Sequence, residues 1–166
     1  MKKVEKKTKE IMFNTFQQVQ KMDEVPYFVK NKMLSAIFKM NPNKWRVIGI
    51  TEKAVLRFAQ YEFKYKARMG INRSHIYQRS LRNKALLAKT DWKLDEWWNY
   101  FYDRDECILA TSTENMSKEE LKPSFKVPDN LFRSSGHRVG VKKDESLFLK
   151  KIYEELMSES NKKMGG

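Results

Sequence analysis

Gly70-Ile71-Asn72-Arg73-Ser74-His75-Ile76-Tyr77-Gln78-Arg79-Ser80 and Glu106-Cys107-Ile108-Leu109-Ala110-Thr111-Ser112-Thr113-Glu114-Asn115-Met116-Ser117 are the two stretches on which the reading of this fold turns. Each carries a short apolar run of strand length, too short for a core helix. Residues 71–77 predict one strand and residues 107–110 a second. A histidine lies near the end of the first run, and an asparagine follows the second, just before a helix start.

Working outward toward the N-terminus, Gly70 is a natural helix terminator. Thr51 is the matching N-cap, for a helix carrying Ala54, Val55, Phe58, Ala59 and Phe63. The apolar run 45–50 precedes it. Met12, Phe16 and Val19 recur at helical spacing within residues 5–22, and Pro26 ends that pattern. Val29, Met33 and Ile37 then share a helix face that stops at Asn41-Pro42.

Toward the C-terminus, residues 79–89 form a basic stretch with no clear period. Asp91 can cap a helix with Leu94, Trp97, Trp98 and Phe101 at the i, i+3, i+4, i+7 spacing of a core-facing stripe. Ser117-Lys118-Glu119-Glu120 has capping-box spacing, and Pro123 cuts that helix short. Residues 122–146, with Pro123, Pro128, Gly136 and Gly140, read as a long loop of the kind that carries function. Asp144 can cap a last helix bearing Phe148, Ile152, Glu155 and Leu156, followed by a polar, frayed tail. The expected class is α+β, mostly helical with a small β-hairpin. The expected division is a helical part over 1–50, a core over 51–157 and a flexible tail over 158–166.

Lys plus Arg (34) exceeds Asp plus Glu (21), for a net charge of +13 in 166 residues. A surplus of that size points to a polyanion: DNA, RNA or an anionic membrane surface. A lysine-heavy composition is the bland alternative. One cysteine, Cys107, rules out a disulfide within the chain and a cysteine-based zinc site. The apolar runs are far too short to span a bilayer, and residues 1–7 lack the apolar stretch of a signal peptide, so the expected location is the cytoplasm.

Hydrolysis of a phosphodiester needs a base for water, a cation for the developing charge, and positive groups that hold the phosphate in line. Neutral imidazole suits the first task, and Mg²⁺ makes do with few protein oxygens. Arg73 and His75 alternate onto one face of a strand, so both can address one phosphate. Arg79, Arg82 and Lys84 follow closely. The loop Arg133-Ser134-Ser135-Gly136-His137-Arg138-Val139-Gly140-Val141-Lys142-Lys143 reads as a nucleic-acid clamp through Arg133, Arg138, Lys142 and Lys143. His137 in that loop is an alternative base or ligand.

At these residues the chain resembles the His-Me finger (ββα-metal, HNH) nucleases of phages and mobile elements. Arg73-Ser74-His75 looks like the Arg-Gly-His of their non-specific branch, and Thr111-Ser112-Thr113-Glu114-Asn115 is similar to a Thr-x-x-Glu-Asn ending in phage-type members. The resemblance implies a ββα-metal finger core and an endonuclease acting on DNA, with RNA an alternative substrate. It implies one Mg²⁺ or Mn²⁺ ion, His75 as base with Arg73 beside it, Asn115 as metal ligand, and phosphate contacts from Arg79. Ser74 stands where the HNH branch has an aspartate, and the likeness covers residues 68–122. Two readings compete with it: a non-catalytic DNA- or RNA-binding protein, and a basic protein that binds an acidic partner.

Overall fold

The computed structural model describes residues 4–117, 121–132 and 141–164, with side chains through Asn161. In chain order the elements are α1 (Lys6–Gln20), α2 (Tyr27–Phe38), β1 (Arg46–Ile50), α3 (Glu52–Ala59) and β2 (Ile71–His75). Then come α4 (Arg79–Ala88), α5 (Leu94–Asp103), β3 (Glu106–Thr111), α6 (Ser112–Met116), β4 (Phe125–Lys126) and α7 (Lys143–Met164). The described residues are therefore α+β and mostly helical, as expected. They form two compact units: one draws on residues 1–44 and 77–106, the other on 45–76 and 107–166. A boundary at residue 50 would detach β1 from the second unit. A tail from 158 would cut the last helix, which runs on to Met164.

The first unit is all-helical. Met12, Phe16 and Val19 of α1 are buried, as their spacing requires, and so are Leu34, Ile37 and Phe38 of α2. Pro26 precedes α2, where its fixed φ and missing N–H suit a helix start. The aromatic stripe of α5 is core: Trp97, Trp98 and Phe101 are buried, with Phe38 stacked on Phe101 at 4.2 Å and Phe16 5.3 Å from Trp97. The α5 helix starts at Leu94 behind Lys93, and no side chain caps it, so Asp91 does not take that role. The basic stretch 79–89 is helical, as α4.

The second unit holds the sheet, in strand order β2-β3-β1-β4. The β2–β3 pair is the expected antiparallel hairpin ladder, running from Ile71 opposite Thr111 to His75 opposite Cys107. Cys107, Ile108, Leu109 and Ala110 are all buried, so β3 is covered on both faces. The β4 strand pairs antiparallel with β1, which gives the expected loop region a short element of its own. Thr51 caps α3 as its sequence predicts, accepting from the Ala54 N–H. The helix ends at Ala59, however, because Glu62 and Phe63 turn into the left-handed region. Ala54, Val55 and Phe58 face a core shared with Ile50, Leu109, Leu149 and Ile152. Glu145, not Asp144, satisfies the start of α7: its carboxylate accepts the N–H of Lys142 at 2.7 Å and of Phe132 at 2.6 Å.

Candidate functional site

Glu114 explains the turn from β3 into α6. Thr111 and Glu114 form a capping box: Thr111 Oγ1 accepts from the Glu114 N–H, and the Glu114 carboxylate accepts from the Thr111 N–H at 2.8 Å. A helix start thus stands six residues before the one expected at Ser117. Ser117 itself is the C-cap of α6. Lys118, Glu119 and Glu120 lie outside the described residues. Two positions of the Thr-x-x-Glu-Asn stretch therefore have local structural work, and Asn115 is exposed.

His75 is half-buried at the far end of β2. Its ring centroid lies 4.8 Å from that of Trp45, and its Nδ1 is 3.3 Å from Cys107 Sγ. Arg73, two residues earlier on the same face, also reaches Trp45: Nη1 donates to the Trp45 carbonyl oxygen at 3.2 Å. The Arg73 side chain is buried, and its Nε has no partner among the described residues. Burial pulls the guanidinium pKa below its ordinary value, with Cys107 and Glu145 acting in the opposite sense. Arg73 and His75 are brought together, around an indole and a thiol.

Asn115 lies in α6, four residues past the end of the β2–β3 ladder. His75 faces Cys107 at one end of the ladder, and Thr111, which leads into α6, faces Ile71 at the other. Four rungs at about 3.3 Å each set those ends roughly 13 Å apart. The helix that would have drawn them together, α5, belongs to the aromatic core of the first unit. A magnesium ion at Asn115 would find one exposed amide oxygen. The neighbouring Glu114 carboxylate already accepts from Thr51 Oγ1, Thr111 Oγ1 and the Thr111 N–H. No group of three or more His, Cys, Asp or Glu able to hold a metal occurs among the described residues.

The expected phosphate contacts divide as sharply. Arg82 is 1% exposed and its Nη1 meets Asp105 at 2.7 Å, with its guanidinium 4.5 Å from the Phe38 ring and 5.1 Å from Phe101. It is a structural ion-pair residue, not a surface contact. The partner acid is 23 positions away, out of reach of a local reading. Arg79 is half-buried and donates to Ser35 Oγ at 3.3 Å. Lys84, Lys142 and Lys143 are exposed, as a polyanion contact requires. Arg133, His137 and Arg138 lie outside the described residues.

A cleft of about 420 Å³ lies within the second unit. One wall is the outer stripe of α3, with Lys53, Leu56, Arg57 and Gln60 at i, i+3, i+4 and i+7. The other is Gly70 with Thr111, Ser112 and Thr113 of the β3–α6 turn. The Arg57 fork is held in place, Nε donating to the Met69 carbonyl at 3.0 Å and Nη1 to Gln60 Oε1 at 2.9 Å. The α3 stripe is legible as the polar face of an amphipathic helix; the wall opposite it is set by β2–β3 pairing and is not. Comparison with protein-family models, curated proteins and solved structures finds no match.

Proposed function

We propose that the chain binds nucleic acid through its cationic surface. The supporting observation is the +13 surplus together with where it stands. Lys53, Arg57, Lys84, Lys142 and Lys143 are exposed, while the one buried Arg–Asp pair of the described residues absorbs a single positive charge. Lys and Arg at a surface displace counterions from a phosphate backbone, so affinity must fall steeply with salt. No helix among the described residues is long and apolar enough to cross a membrane.

The test is fluorescence anisotropy of labelled DNA and RNA oligonucleotides against the whole chain over a salt series. Micromolar binding with a log–log slope steeper than about −3 supports the reading. Absence of binding at low salt, or binding without salt dependence, refutes it and turns attention to an acidic protein partner.

Phosphodiester hydrolysis is a second reading, favoured by the antiparallel β2–β3 pair with an imidazole at the end of its first strand and a helix directly after its second. In it His75 acts as base, and no step through a metal is drawn from the residues at Asn115. Plasmid cleavage with and without Mg²⁺, by wild type and His75→Ala, decides it. Cleavage lost in the variant with binding retained supports hydrolysis; equal or absent cleavage in both removes it.

A further inference from the structure

We propose that the cleft between α3 and the β3–α6 turn seats a phosphodiester of a single-stranded nucleic acid. The inference rests on the nucleic-acid reading above and gives it a location. A cleft of about 420 Å³ is large enough for a phosphodiester and its sugar, and the exposed Leu56 in its wall can meet a base only where bases are unpaired.

The walls carry the chemistry a phosphodiester needs. Lys53 and Arg57 stand one helical turn apart on α3, and neither has a carboxylate within ion-pair distance among the described residues. Arg57 is pre-set: two of its nitrogens are spent on Met69 and Gln60, which fixes the plane of the fork and leaves Nη2 to donate. Facing it, Ser112 Oγ accepts from Asn72 Nδ2 at 3.1 Å and keeps its own hydrogen to give. Thr113 is exposed beside it. Gly70, at φ 73°, keeps that wall open and lets a phosphate approach the backbone. Leu56 between the two cations offers an apolar surface to a sugar or base. A neighbouring depression of about 330 Å³ contains Glu52 and Glu114, whose charge repels a phosphate.

The experiment measures the salt dependence of single-stranded oligonucleotide binding for wild type, Lys53→Ala, the double variant Lys53→Ala/Arg57→Ala, and a control pair on α7, Lys150→Ala/Lys151→Ala. Loss of two single-strand phosphate contacts makes the slope shallower by about 1.4, and by about 0.7 for Lys53→Ala alone, alike for every sequence. The control pair leaves the slope unchanged. Lys53 is exposed and its side chain makes no bond among the described residues, so its single variant reports even where loss of the Arg57–Met69 bond unfolds the double one. On titration with a thymidine dinucleotide, the amide resonances of Gly70, Ser112 and Thr113 are expected to move. Equal slopes for wild type and cleft variants, an equal change in the α7 control, or still resonances in a protein that binds, overturn the cleft while leaving the nucleic-acid reading intact. A wild type that binds no nucleic acid overturns both.

Discussion

Thr51 Oγ1 donates to Glu114 Oε2 at 3.0 Å across 63 positions of sequence, so the N-caps of α3 and α6 hang on one carboxylate. That single side chain therefore joins the helix carrying Lys53 and Arg57 to the turn that faces them. Replacing Glu114 by alanine leaves the Thr111 N–H and two hydroxyls without their acceptor. The expected loss is about 1–3 kcal/mol, read as a lower midpoint in thermal unfolding by circular dichroism. Glu114→Gln, which keeps an accepting oxygen, should lose less. An alanine variant as stable as wild type would show that the shared carboxylate contributes nothing.

The Arg82–Asp105 pair is expected to behave as a buried ion pair. Asp105→Ala strands a guanidinium between Phe38 and Phe101, at a cost of about 3–5 kcal/mol in urea unfolding. Joint replacement by apolar residues, Arg82→Met with Asp105→Leu, should recover much of the loss, because neither charge is then left in the core. Nucleic-acid affinity of the double variant should equal that of wild type, since Arg82 is out of reach of any ligand.

Arg73 separates a structural role from a phosphate contact. Its guanidinium is buried against Trp45 with one hydrogen bond, so Arg73→Met is expected to change stability by less than about 1 kcal/mol or to raise it. Oligonucleotide binding should not change. A tenfold weakening in anisotropy titrations, with stability kept, would place Arg73 at the ligand after all.

Gly49 is needed for the approach of Pro123 to β1. An added Cβ would lie 2.3 Å from Pro123 Cβ, close to the Gly49–Lys126 pairing of β4. Gly49→Ala must push that segment away, at a cost of about 1–3 kcal/mol. Hydrogen exchange at Ser124 and Val127, whose amides bond to Ile50 and Ile48, should accelerate first.

Tyr100 predicts an alkaline limit. Burial, then a hydrogen bond with Tyr77, raises its pKa above the ordinary 10.0, while Arg104 and Arg82 oppose the shift. The folded state thus keeps the phenol proton longer than the unfolded state. This contribution to stability is complete below pH 10 and is lost as pH rises from there through the folded pKa. Tyr100→Phe should flatten the fall in stability above pH 10, measured as urea midpoints across the alkaline range. An unchanged slope counts against the shift.

Local chemistry made much of this protein legible in the sequence. The spacing of Met12, Phe16 and Val19, the Thr51 cap, and the Trp97, Trp98, Phe101 stripe each act within a turn or two, and each forms the element it predicts. The hairpin strands were readable for the same reason, and so was the α+β class. Misreadings began where distant residues compete. No helix was expected at α6, whose capping-box carboxylate also takes a bond from Thr51, 63 positions away. Arg82 looks unpaired until the fold delivers Asp105.

By itself the sequence determined most of the helices, the two strands that pair, and a cationic surplus, because periodicity, capping and charge are properties of neighbouring residues. Only the tertiary structure decided that His75 and Thr111 stand at opposite ends of one ladder, that Arg73 and Arg82 are buried, and that Lys53 and Arg57 face a hydroxyl-lined wall. Strand register and the burial of a charge depend on groups far apart along the chain, and no local pattern records which of them will meet.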